Sequence, residues 1–304
     1  MPIEIINIDI CIATYKRVDL LKKLLESLVV QILDESIKIR IIIIDNDPNA
    51  SAQSIVNAFF AKKDLPYIYD TQPEKNIAIT RNKALDYTDA NFLAFIDDDE
   101  WATPDWLNNL LLASTQYDAD VVFGPVMPQF SEVAPDWISK GGFFNRNASK
   151  SGDIKTHGAT NNTLIRNPEK FKAIFRFDPE YGLTGGEDTD LFHRLYLNGA
   201  KLVWNDAALV YEVIPPERMT VNWLVKRALR GGQIYAKVYL REFSLTQKTI
   251  WFFKRINYLC LSVLLLPVTF FMGKHRWVWV LLKITANFGQ LNMVFTNKAY
   301  QEYK

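Results

Sequence analysis

The sequence predicts an α/β fold built on a mostly parallel sheet that is flanked by helices. Two observations carry this prediction. Apolar, strand-like runs alternate with amphipathic segments over about the first 125 residues. The runs Arg40–Ile44 and Phe92–Ile96 are short and end at aspartate, as buried strands do when they emerge at the edge of a sheet. Strict alternation of strand and helix implies right-handed parallel crossovers.

The predicted elements follow one another in chain order, each strand a short apolar run and each helix a longer amphipathic segment. The predicted strands are Ile5–Ala13, Arg40–Ile44, Tyr67–Tyr69, Phe92–Ile96 and Val121–Phe123. The predicted helices are Val18–Leu33, Ala50–Lys62, Ile77–Tyr87 and Pro104–Tyr117. Ligands of such sheets bind beyond the carboxyl ends of the strands, so the residues at those ends are the candidates for a site.

Composition is that of a globular protein, with 304 residues, 49% hydrophobic and 23% charged. The net charge of +1 provides no basic field for nucleic acid, so we expect no nucleic-acid partner. Cys11 and Cys260 lie in separate apolar runs and do not suggest a disulfide framework. The first ten residues lack a basic region, so we expect no signal peptide and a cytosolic catalytic part.

Missing motifs exclude several classes of enzyme. The first glycine is Gly124, so the first strand is not followed by the glycine-rich turn of a Rossmann fold or a P-loop. The three histidines form no HExxH pair, and no GxSxG elbow is present. Dehydrogenase, P-loop NTPase, metalloprotease and ordinary serine hydrolase are therefore disfavoured.

Three consecutive aspartates, Asp97 to Asp99, follow the strand Phe92–Ile96. If the strand continued through them, Asp97 and Asp99 would face one side and Asp98 the other. Carboxylates so spaced suit an oxygen-preferring cation such as Mg²⁺ or Mn²⁺. The alternative is an acidic turn in water. Thr14, Tyr15 and Asp45 are also at predicted strand ends and would converge on the same crevice.

A second acidic motif, Gly185 to Asp190, precedes a helix that we expect to end at Asn198-Gly199. Glu187 and Asp188 would lie at the amino end of this helix, where the macrodipole favours negative charge. Capping is therefore one interpretation of the motif. A carboxylate at such a loop–helix junction is equally well placed as a general base toward a substrate hydroxyl.

Together these motifs resemble those of a family 2 glycosyltransferase of the GT-A fold. The resemblance rests on Ile12–Arg17, Ile43–Asp47, Ala78–Lys83, Phe95–Glu100 and Gly186–Asp190. It covers roughly residues 5 to 240, and within the family the chain is most similar to bacterial transferases of the succinoglycan-glucosyltransferase type. These build surface polysaccharides, so the resemblance implies synthesis of a capsule, an exopolysaccharide or an O-antigen.

The resemblance also implies a reaction and a role for each matching residue. We expect inverting transfer of a sugar from a nucleotide donor, a uridine diphosphate sugar, with Mn²⁺ or Mg²⁺ as cofactor. The implied donor site has Thr14 and Tyr15 beside the base, Asp45 on its ring nitrogen, Arg81 at the base or diphosphate, Asp97 or Asp98 at the ribose, and Asp99 on the metal. Asp188 would be the catalytic base and Glu187 would help to bind the acceptor.

Each implied role has a structural alternative. Tyr15 could simply pack, Asp45 could cap the turn that follows it, and Arg81 could pair with an acid on its own helix. Many relatives have histidine at the position of Glu212. A carboxylate there would repel the diphosphate but could serve as a second metal ligand.

Aromatic and basic residues outside these motifs are further candidates. Trp101 and Trp106 would line an acceptor site or pack in the core. Arg227 and Arg230, beside Gly231-Gly232, would belong either to a loop that closes over phosphates or to a solvated helix face. Asn161-Asn162, followed by Leu164-Ile165, would return to the sheet near the donor sugar.

The last residues change character. Residues 256–272 form a 17-residue run without charge, and a second apolar stretch begins at Trp277. A spanning hairpin would place Lys274-His275-Arg276 outside, against the positive-inside rule, so we expect peripheral or monotopic helices at the cytoplasmic face of the inner membrane. The alternative is a buried hairpin or a homo-oligomer interface through this tail.

We therefore predict a glycosyltransferase domain over residues 1–240, with a nucleotide-binding half over about 1–125 and an acceptor half over about 126–240. A helical, hydrophobic tail covers 241–304. The predicted activity is sugar transfer to a lipid-linked oligosaccharide or other glycolipid. The alternative is a noncatalytic nucleotide-sugar-binding scaffold at the membrane, and a nucleotidyltransferase is a weaker third hypothesis.

Overall fold

A computed structural model describes residues 5–145, 149–296 and 298–301, which divide into two compact units. Unit 1 holds the described residues up to Pro128 together with Asn145–Val213. Unit 2 holds Gln129–Phe144 and the described residues from Ile214 onward. This division groups the residues after 213 with the predicted tail, whereas the sequence placed the boundary at 240.

The elements alternate as expected through the first half of the chain. The strands are β1 Ile6–Thr14, β2 Ile37–Asp45, β3 Tyr67–Thr71, β4 Phe92–Ile96, β5 Glu100–Ala102, β6 Val121–Phe123, β7 Val126–Phe130, β8 Ile154–Lys155, β9 Asn162–Arg166, β10 Leu202–Trp204 and β11 Val210–Ile214. The helices are α1 Val18–Leu28, α2 Gln53–Phe60, α3 Ile77–Leu85, α4 Trp106–Gln116, α5 Asp136–Gly141, α6 Glu187–Leu197, α7 Val221–Tyr239, α8 Leu245–Phe271 and α9 Lys274–Thr296.

The main sheet has the strand order β3-β2-β1-β4-β9-β6-β10-β8. Strands β1 to β4 are parallel neighbours, and β10 runs parallel to β6. Strand β9 is antiparallel and lies between β4 and β6. The mainly parallel sheet confirms the predicted fold class, and β9 confirms that the segment after Asn161 returns to the sheet.

Helix α1 is shorter than the sequence predicts, because it ends at Leu28 rather than Leu33. After Leu28 the chain runs toward the start of α4, where the Ile32 backbone N–H donates to the Pro104 carbonyl at 2.7 Å. Of the apolar residues that follow Leu28, Leu33 packs against the core, whereas Val30 and Ile32 are exposed.

The core of unit 1 lies on both faces of the main sheet, as a parallel sheet covered by helices requires. Successive isoleucines of β2 point to opposite faces and join two different buried clusters. Four leucines of α1 recur at helical spacing and are buried in one of these clusters. The rigid strands thereby fix the polar residues at their carboxyl ends.

A small second sheet has the order β5-β11-β7. Its β5 and β11 strands are antiparallel, and Glu100 is opposite Glu212. Strand β5 was not predicted, because three residues straight after an aspartate cluster give no periodic signal.

Unit 2 is built on helices α7 and α9, which pack at close range through glycine. A Cβ atom on Gly232 would lie 2.1 Å from the Ala286 carbonyl oxygen, and one on Gly289 would lie 2.4 Å from that of Leu229. Helix α8 is different, since only 6% of its most apolar 18-residue window is buried, and it is long and apolar enough to cross a membrane.

Candidate active site

The carboxyl ends of β1 and β4 and the amino end of α3 enclose a cavity of about 150 Å³ in unit 1. Its lining combines aromatic, cationic, amide and acidic side chains. The lining residues are Ala13, Thr14, Tyr15, Arg17, Asn46, Lys75, Asn76, Ile77, Arg81, Asp97, Asp98 and Gly182. Of the predicted donor-site residues, Thr14, Tyr15, Arg81, Asp97 and Asp98 are therefore brought together at one edge of the sheet.

Asp98 is the most tightly held member of the aspartate cluster. Its carboxylate accepts a hydrogen bond from Thr14 Oγ1 at 2.8 Å. It also forms an ion pair with Arg17, whose Nη1 atom lies 2.9 Å away. The same Arg17 nitrogen donates to Asp99 at 2.9 Å. Burial raises the pKa of Asp98 to about 6, opposed by the charge of Arg17.

The expectation that Asp98 and Asp99 face opposite sides is wrong. Strand β4 ends at Ile96, and the Glu100 backbone N–H donates back to the Asp97 carbonyl at 3.2 Å. The aspartates therefore lie in a turn, where the alternation of a strand does not apply, and Asp98 and Asp99 converge on one guanidinium.

Arg81 joins the aspartate cluster to the second acidic motif. One guanidinium nitrogen donates to Asp97 at 3.0 Å, and the other forms an ion pair with Glu187. Both partners are distant in sequence, so the alternative that Arg81 pairs within its own helix does not describe these contacts. Arg81 and Glu187 are almost fully buried, which makes this pair sensitive to the loss of either partner.

The pKa of the Glu187 carboxyl differs from its ordinary value. Burial raises its pKa to about 7, the negative charge of Asp188 adds to the rise, and Arg81 opposes it. Among the residues that the structure describes, none forms a hydrogen bond with its buried Oε2 atom. A buried acceptor left unsatisfied in this way is costly unless a donor, such as a substrate hydroxyl, reaches it.

Asp188 lies in the first turn of α6, after Gly185 and Gly186 with φ of +73° and +95°. Such left-handed backbone favours glycine, which explains why two glycines precede the acids. Asp188 Oδ1 accepts the Thr189 backbone N–H at 2.6 Å. Burial raises the pKa of Asp97, Arg81 opposes this rise, and the negative charges of Asp99 and Asp188 add to it, so the candidate base interacts electrostatically with the aspartate cluster.

Carboxylates crowd the region around Asp99, the predicted metal ligand. Burial raises the pKa of Glu100 well above its usual range, and the charges of Asp97, Asp99 and Glu212 add to this rise. In the described ranges, no group of three or more His, Cys, Asp and Glu side chains has an arrangement ready to hold a metal ion. The chemistry of this donor set nevertheless fits an oxygen-preferring cation, since a divalent charge would offset the repulsion between Glu100 and the carboxylates of Asp99 and Glu212.

Asp45 lies outside the cavity lining and holds the turn that follows β2. Its carboxylate accepts the backbone N–H groups of Asp47 and Ala52 and the Tyr69 hydroxyl, each at 2.9 Å. In this conformation Asp45 caps the turn that follows β2. This is the alternative to its predicted role on the ring nitrogen of the base.

The two tryptophans have different surroundings. Trp106 is fully buried and donates from Nε1 to Asn162 at 2.8 Å, so the core-packing alternative describes it. Trp101 stacks on Tyr211 with 5.6 Å between ring centroids, and Lys23 Nζ lies 3.0 Å from its ring centre. Trp101 does not line the cavity described here.

Arg227 and Arg230 lie on helix α7 of unit 2, and Gly231-Gly232 continue that helix. Of the two alternatives for these residues the loop is wrong and the helix holds, because α7 runs unbroken from Val221 to Tyr239. Glycine weakens a helix, but close packing on α9 compensates at Gly232.

Four polar side chains that line the cavity were not predicted as site residues: Arg17, Asn46, Lys75 and Asn76. The Lys75 ammonium lies 4.9 Å from the Tyr15 ring centre. Asn76 caps α3 by accepting the Ile79 backbone N–H at 3.1 Å, and its own N–H donates to Asn46. Asparagine immediately before a helical pattern is an N-cap signal that would have identified Asn76.

Comparisons with known proteins agree on one family. Residues 9–175 match the family described as Glycosyl transferase family 2. The Succinoglycan biosynthesis protein ExoM of Rhizobium meliloti (strain 1021) is 36% identical over 239 residues, 78% of this chain and 77% of that protein. The Glucosyl-dolichyl phosphate glucuronosyltransferase of Haloferax volcanii is 22% identical over 238 residues, 75% of each chain.

Solved structures of TarS from S. aureus share the fold. The complex of TarS 1–349 with UDP has a TM-score of 0.56 at 14% identity, over 97% of this chain and 93% of that one. A structure with UDP-GlcNAc matches equally well, and this chain covers 44% of a longer TarS structure. At this identity the likeness establishes the fold and nothing further.

Proposed function

This chain belongs to glycosyl transferase family 2 and has its GT-A-like α/β fold, and we propose that it transfers a sugar from a uridine diphosphate sugar to a lipid-linked oligosaccharide during surface polysaccharide synthesis. One observation carries the proposal. The cavity at the strand ends is joined by Arg81 to the acidic motif that begins α6, so a nucleotide site and a candidate base are physically connected.

The chemistry of the cavity supports a nucleotide diphosphate as the donor group. Tyr15 provides an aromatic face for a base, and Arg17, Lys75 and Arg81 provide cations for phosphate oxygens. Asp97 and Asp98 can accept hydrogen bonds from ribose hydroxyls. The structural neighbours bound to UDP and UDP-GlcNAc have the same fold, which supports a uridine nucleotide.

We assign the proton transfer to Asp188. In the proposed single displacement, the acceptor oxygen bonds to the anomeric carbon as the bond from that carbon to the diphosphate oxygen breaks. The hydroxyl proton passes to the Asp188 carboxylate, and the electron pair leaves with the nucleoside diphosphate. Glu187, with its unpartnered Oε2, is the proposed acceptor-binding residue beside the base.

Asp99 and Glu212 are the proposed ligands of Mn²⁺ or Mg²⁺. A bound divalent cation would neutralise charge that develops on the departing diphosphate. The crowding of carboxylates around Glu100 supports this assignment, since their repulsion is relieved by a cation. The measurement is the thermal shift produced by Mn²⁺, which we expect to be smaller in Glu212→Ala than in the wild type.

The proposed location is the cytoplasmic face of the inner membrane. Support comes from α8, which is long and apolar enough to cross a membrane and whose most apolar 18-residue window is only 6% buried. A relative named for glucosyl-dolichyl phosphate is consistent with a lipid-linked acceptor. Carbonate extraction tests the location, and complete solubility without detergent would count against it.

Release of free or transferred sugar from a panel of nucleotide sugars, with and without Mn²⁺, tests the activity. We expect metal-dependent turnover with a uridine diphosphate sugar and its loss in Asp188→Asn, while UDP still raises the melting temperature of that variant. Nucleotide-sugar binding without turnover in the wild type would favour the noncatalytic scaffold instead. No stabilisation by any uridine nucleotide would overturn the donor assignment.

A further inference from the structure

Helix α3 holds a distant segment of unit 1 through two asparagine side chains that have no part in the proposed mechanism. Asn82 donates from Nδ2 to the Phe177 carbonyl at 2.8 Å, and its Oδ1 accepts the Phe177 backbone N–H, also at 2.8 Å. Asn76, at the amino end of α3, donates from Nδ2 to the Pro179 carbonyl at 3.1 Å. We call residues 177–186 the linking segment, because they lead directly into α6.

Each of these two side chains uses both the nitrogen and the oxygen of its amide. A primary amide can donate from its nitrogen and accept at its oxygen, and the Phe177 backbone satisfies both functions of Asn82. Asn76 divides the two functions, since its Oδ1 caps α3 while its Nδ2 reaches the linking segment. The Phe177 ring is itself buried and packs edge-to-face on Phe95 of β4, with 5.6 Å between the ring centroids. The linking segment therefore begins at a fixed point in the core.

Gly182 of the linking segment packs directly on Asn76. A Cβ atom on Gly182 would overlap the Asn76 side chain, so the close approach requires glycine. The Ile77 backbone N–H donates to the Gly182 carbonyl at 3.3 Å. Asn76, Ile77 and Gly182 all line the cavity at the strand ends. One wall of that cavity is therefore built from α3 and the linking segment together.

Tyr181 connects the linking segment to the first turn of α6. It is fully buried, and its carbonyl accepts the backbone N–H groups of Thr184 at 3.1 Å and Gly185 at 2.8 Å. Its hydroxyl donates to Asp190 Oδ1 at 3.4 Å, and Asp190 lies in the first turn of α6. Asp188 lies in the same turn. The position of this turn is thus fixed by the segment that α3 holds.

We infer that Asn82 and Asn76 are positioning residues for the transfer reaction: by holding the linking segment against α3, they fix the first turn of α6 and with it Asp188. The inference rests on the proposed function, since the asparagines act through the proposed base. A base is effective only when its carboxylate is within hydrogen-bond reach of the acceptor hydroxyl. Glu187 has a direct tie to α3 through its ion pair with Arg81, and the linking segment provides a second tie for the same turn.

Asn82 provides the sharper test, because it does not line the cavity at the strand ends. The experiment measures turnover per nucleotide-binding site in Asn82→Ala, with the sites counted by calorimetric titration of UDP. We expect kcat to fall about tenfold to a hundredfold, because a shift of about 1 Å in the position of a catalytic group is enough for such a loss. The affinity for UDP and the KM for the donor should stay close to the wild-type values, since the cavity lining is unchanged.

Asn76→Ser is the second variant, for the case that Asn82→Ala folds poorly. Serine keeps a capping oxygen at the start of α3 but removes the Nδ2 donor that reaches the Pro179 carbonyl. We expect a fall in kcat in the same direction. Wild-type kcat in both variants would overturn the inference.

The Asp188→Asn background separates positioning from a general loosening of the fold. The base is absent there, so adding Asn82→Ala should leave the residual transfer rate unchanged. A merely structural role would instead lower the rate by the same factor in both backgrounds. That result would show that Asn82 does not act through Asp188 and would overturn the inference.

Asn109→Ala is the matched control. Asn109 lies on α4 of the same unit, is half-buried like Asn82, and donates from Nδ2 to the Ala207 carbonyl at 3.0 Å. It does not line the cavity at the strand ends. Asn109→Ala should retain the wild-type kcat per nucleotide-binding site. A loss equal to that of Asn82→Ala would show that any such bond between a helix and a backbone carbonyl affects turnover, and the inference would fall.

Failure of this inference can be separated from failure of the proposed function. If Asp188→Asn turns over like the wild type, the proposed base is wrong and the inference falls with it. If Asp188→Asn loses turnover while Asn82→Ala and Asn76→Ser keep the wild-type kcat, the proposed function stands and the positioning role falls. Faster amide hydrogen exchange at residues 183–190 in Asn82→Ala, with unchanged exchange in β1, is the structural change that we expect with the loss of turnover.

Discussion

Arg81 neutralises two carboxylates that belong to different parts of the candidate site. It contacts Asp97 in the turn after β4 and Glu187 at the start of α6. The sequence predicted both acids and the arginine, yet it did not predict that they meet. Their pairing depends on how the chain between residues 97 and 187 returns to the sheet, and no local pattern encodes that return.

Arg81→Ala should destabilise the protein strongly, because it leaves the buried charge of Glu187 without a partner. The expected loss in the free energy of unfolding is about 3–5 kcal/mol, measured by urea denaturation. The double variant Arg81→Ala/Glu187→Gln should lose less than Arg81→Ala alone, since a neutral amide needs no counter-charge. Strictly additive losses would show that the two side chains are not coupled.

Glu187 also predicts how stability depends on pH. Its pKa in the folded protein is raised to about 7 from an ordinary value near 4.5, so the folded state holds a proton that the unfolded state releases. The contribution is fully present below about pH 4.5 and is lost as the pH rises through about 7. Urea denaturation between these values should show a flatter dependence in Glu187→Gln than in the wild type.

The exposed Glu169, which pairs with Lys172 at the surface, is the control for that measurement. Glu169→Gln should leave the pH dependence as it is in the wild type, because surface pairs contribute little. An unchanged slope in Glu187→Gln would contradict the assignment of the proton to this residue.

At the scale of elements, short apolar runs predicted the bounds of buried strands reliably. Strands β4 and β6 have the bounds that the sequence predicts, because each is apolar throughout and is closed by turn residues. Strand β9 was located by its apolar pair Leu164-Ile165, but its antiparallel direction was not predicted. Direction depends on the long excursion after β6, which has no regular pattern of its own.

Helix packing in unit 2 makes a prediction with an internal control. Gly232→Ala should lower the stability of unit 2 by about 1–3 kcal/mol, because the new methyl group would meet the Ala286 carbonyl oxygen. Gly231→Ala, one residue earlier on α7, meets nothing within 4 Å and should be neutral or stabilising by up to about 1 kcal/mol. Thermal unfolding of both variants measures the difference, and equal effects would contradict the close packing of α7 on α9.

On the scale of the whole molecule, the sequence predicted an α/β domain followed by an apolar helical tail. The structure assigns more of the chain to the helical unit, because α7 packs on α9 through Gly232 and Gly289. That packing was not predicted, since glycine in a basic stretch is typical of a loop as well as of a close helix crossing.

Membrane association should depend on the exposed face of α8. Replacing Leu264, Val268 and Phe271 with serine removes three exposed apolar side chains, each worth about 1.5–3 kcal/mol when fully buried in lipid. The variant should move from the membrane pellet to the detergent-free supernatant after fractionation. Trp251→Phe, at a buried position of the same helix, is the control and should remain in the pellet.

Strand β9 has a consequence for synthesis on the ribosome. It lies between β4 and β6, so these two strands do not pair with each other. The sheet is therefore incomplete until residues 162–166 have been synthesised. After β6 is made, the chain therefore waits about forty residues of translation for β9, about two to eight seconds at ordinary elongation rates, and β10, the other neighbour of β6, is made later still. During that interval the edge of β4 is unpaired and exposed to wrong partners. We expect this vectorial order to make slow translation before residue 162 a source of aggregation.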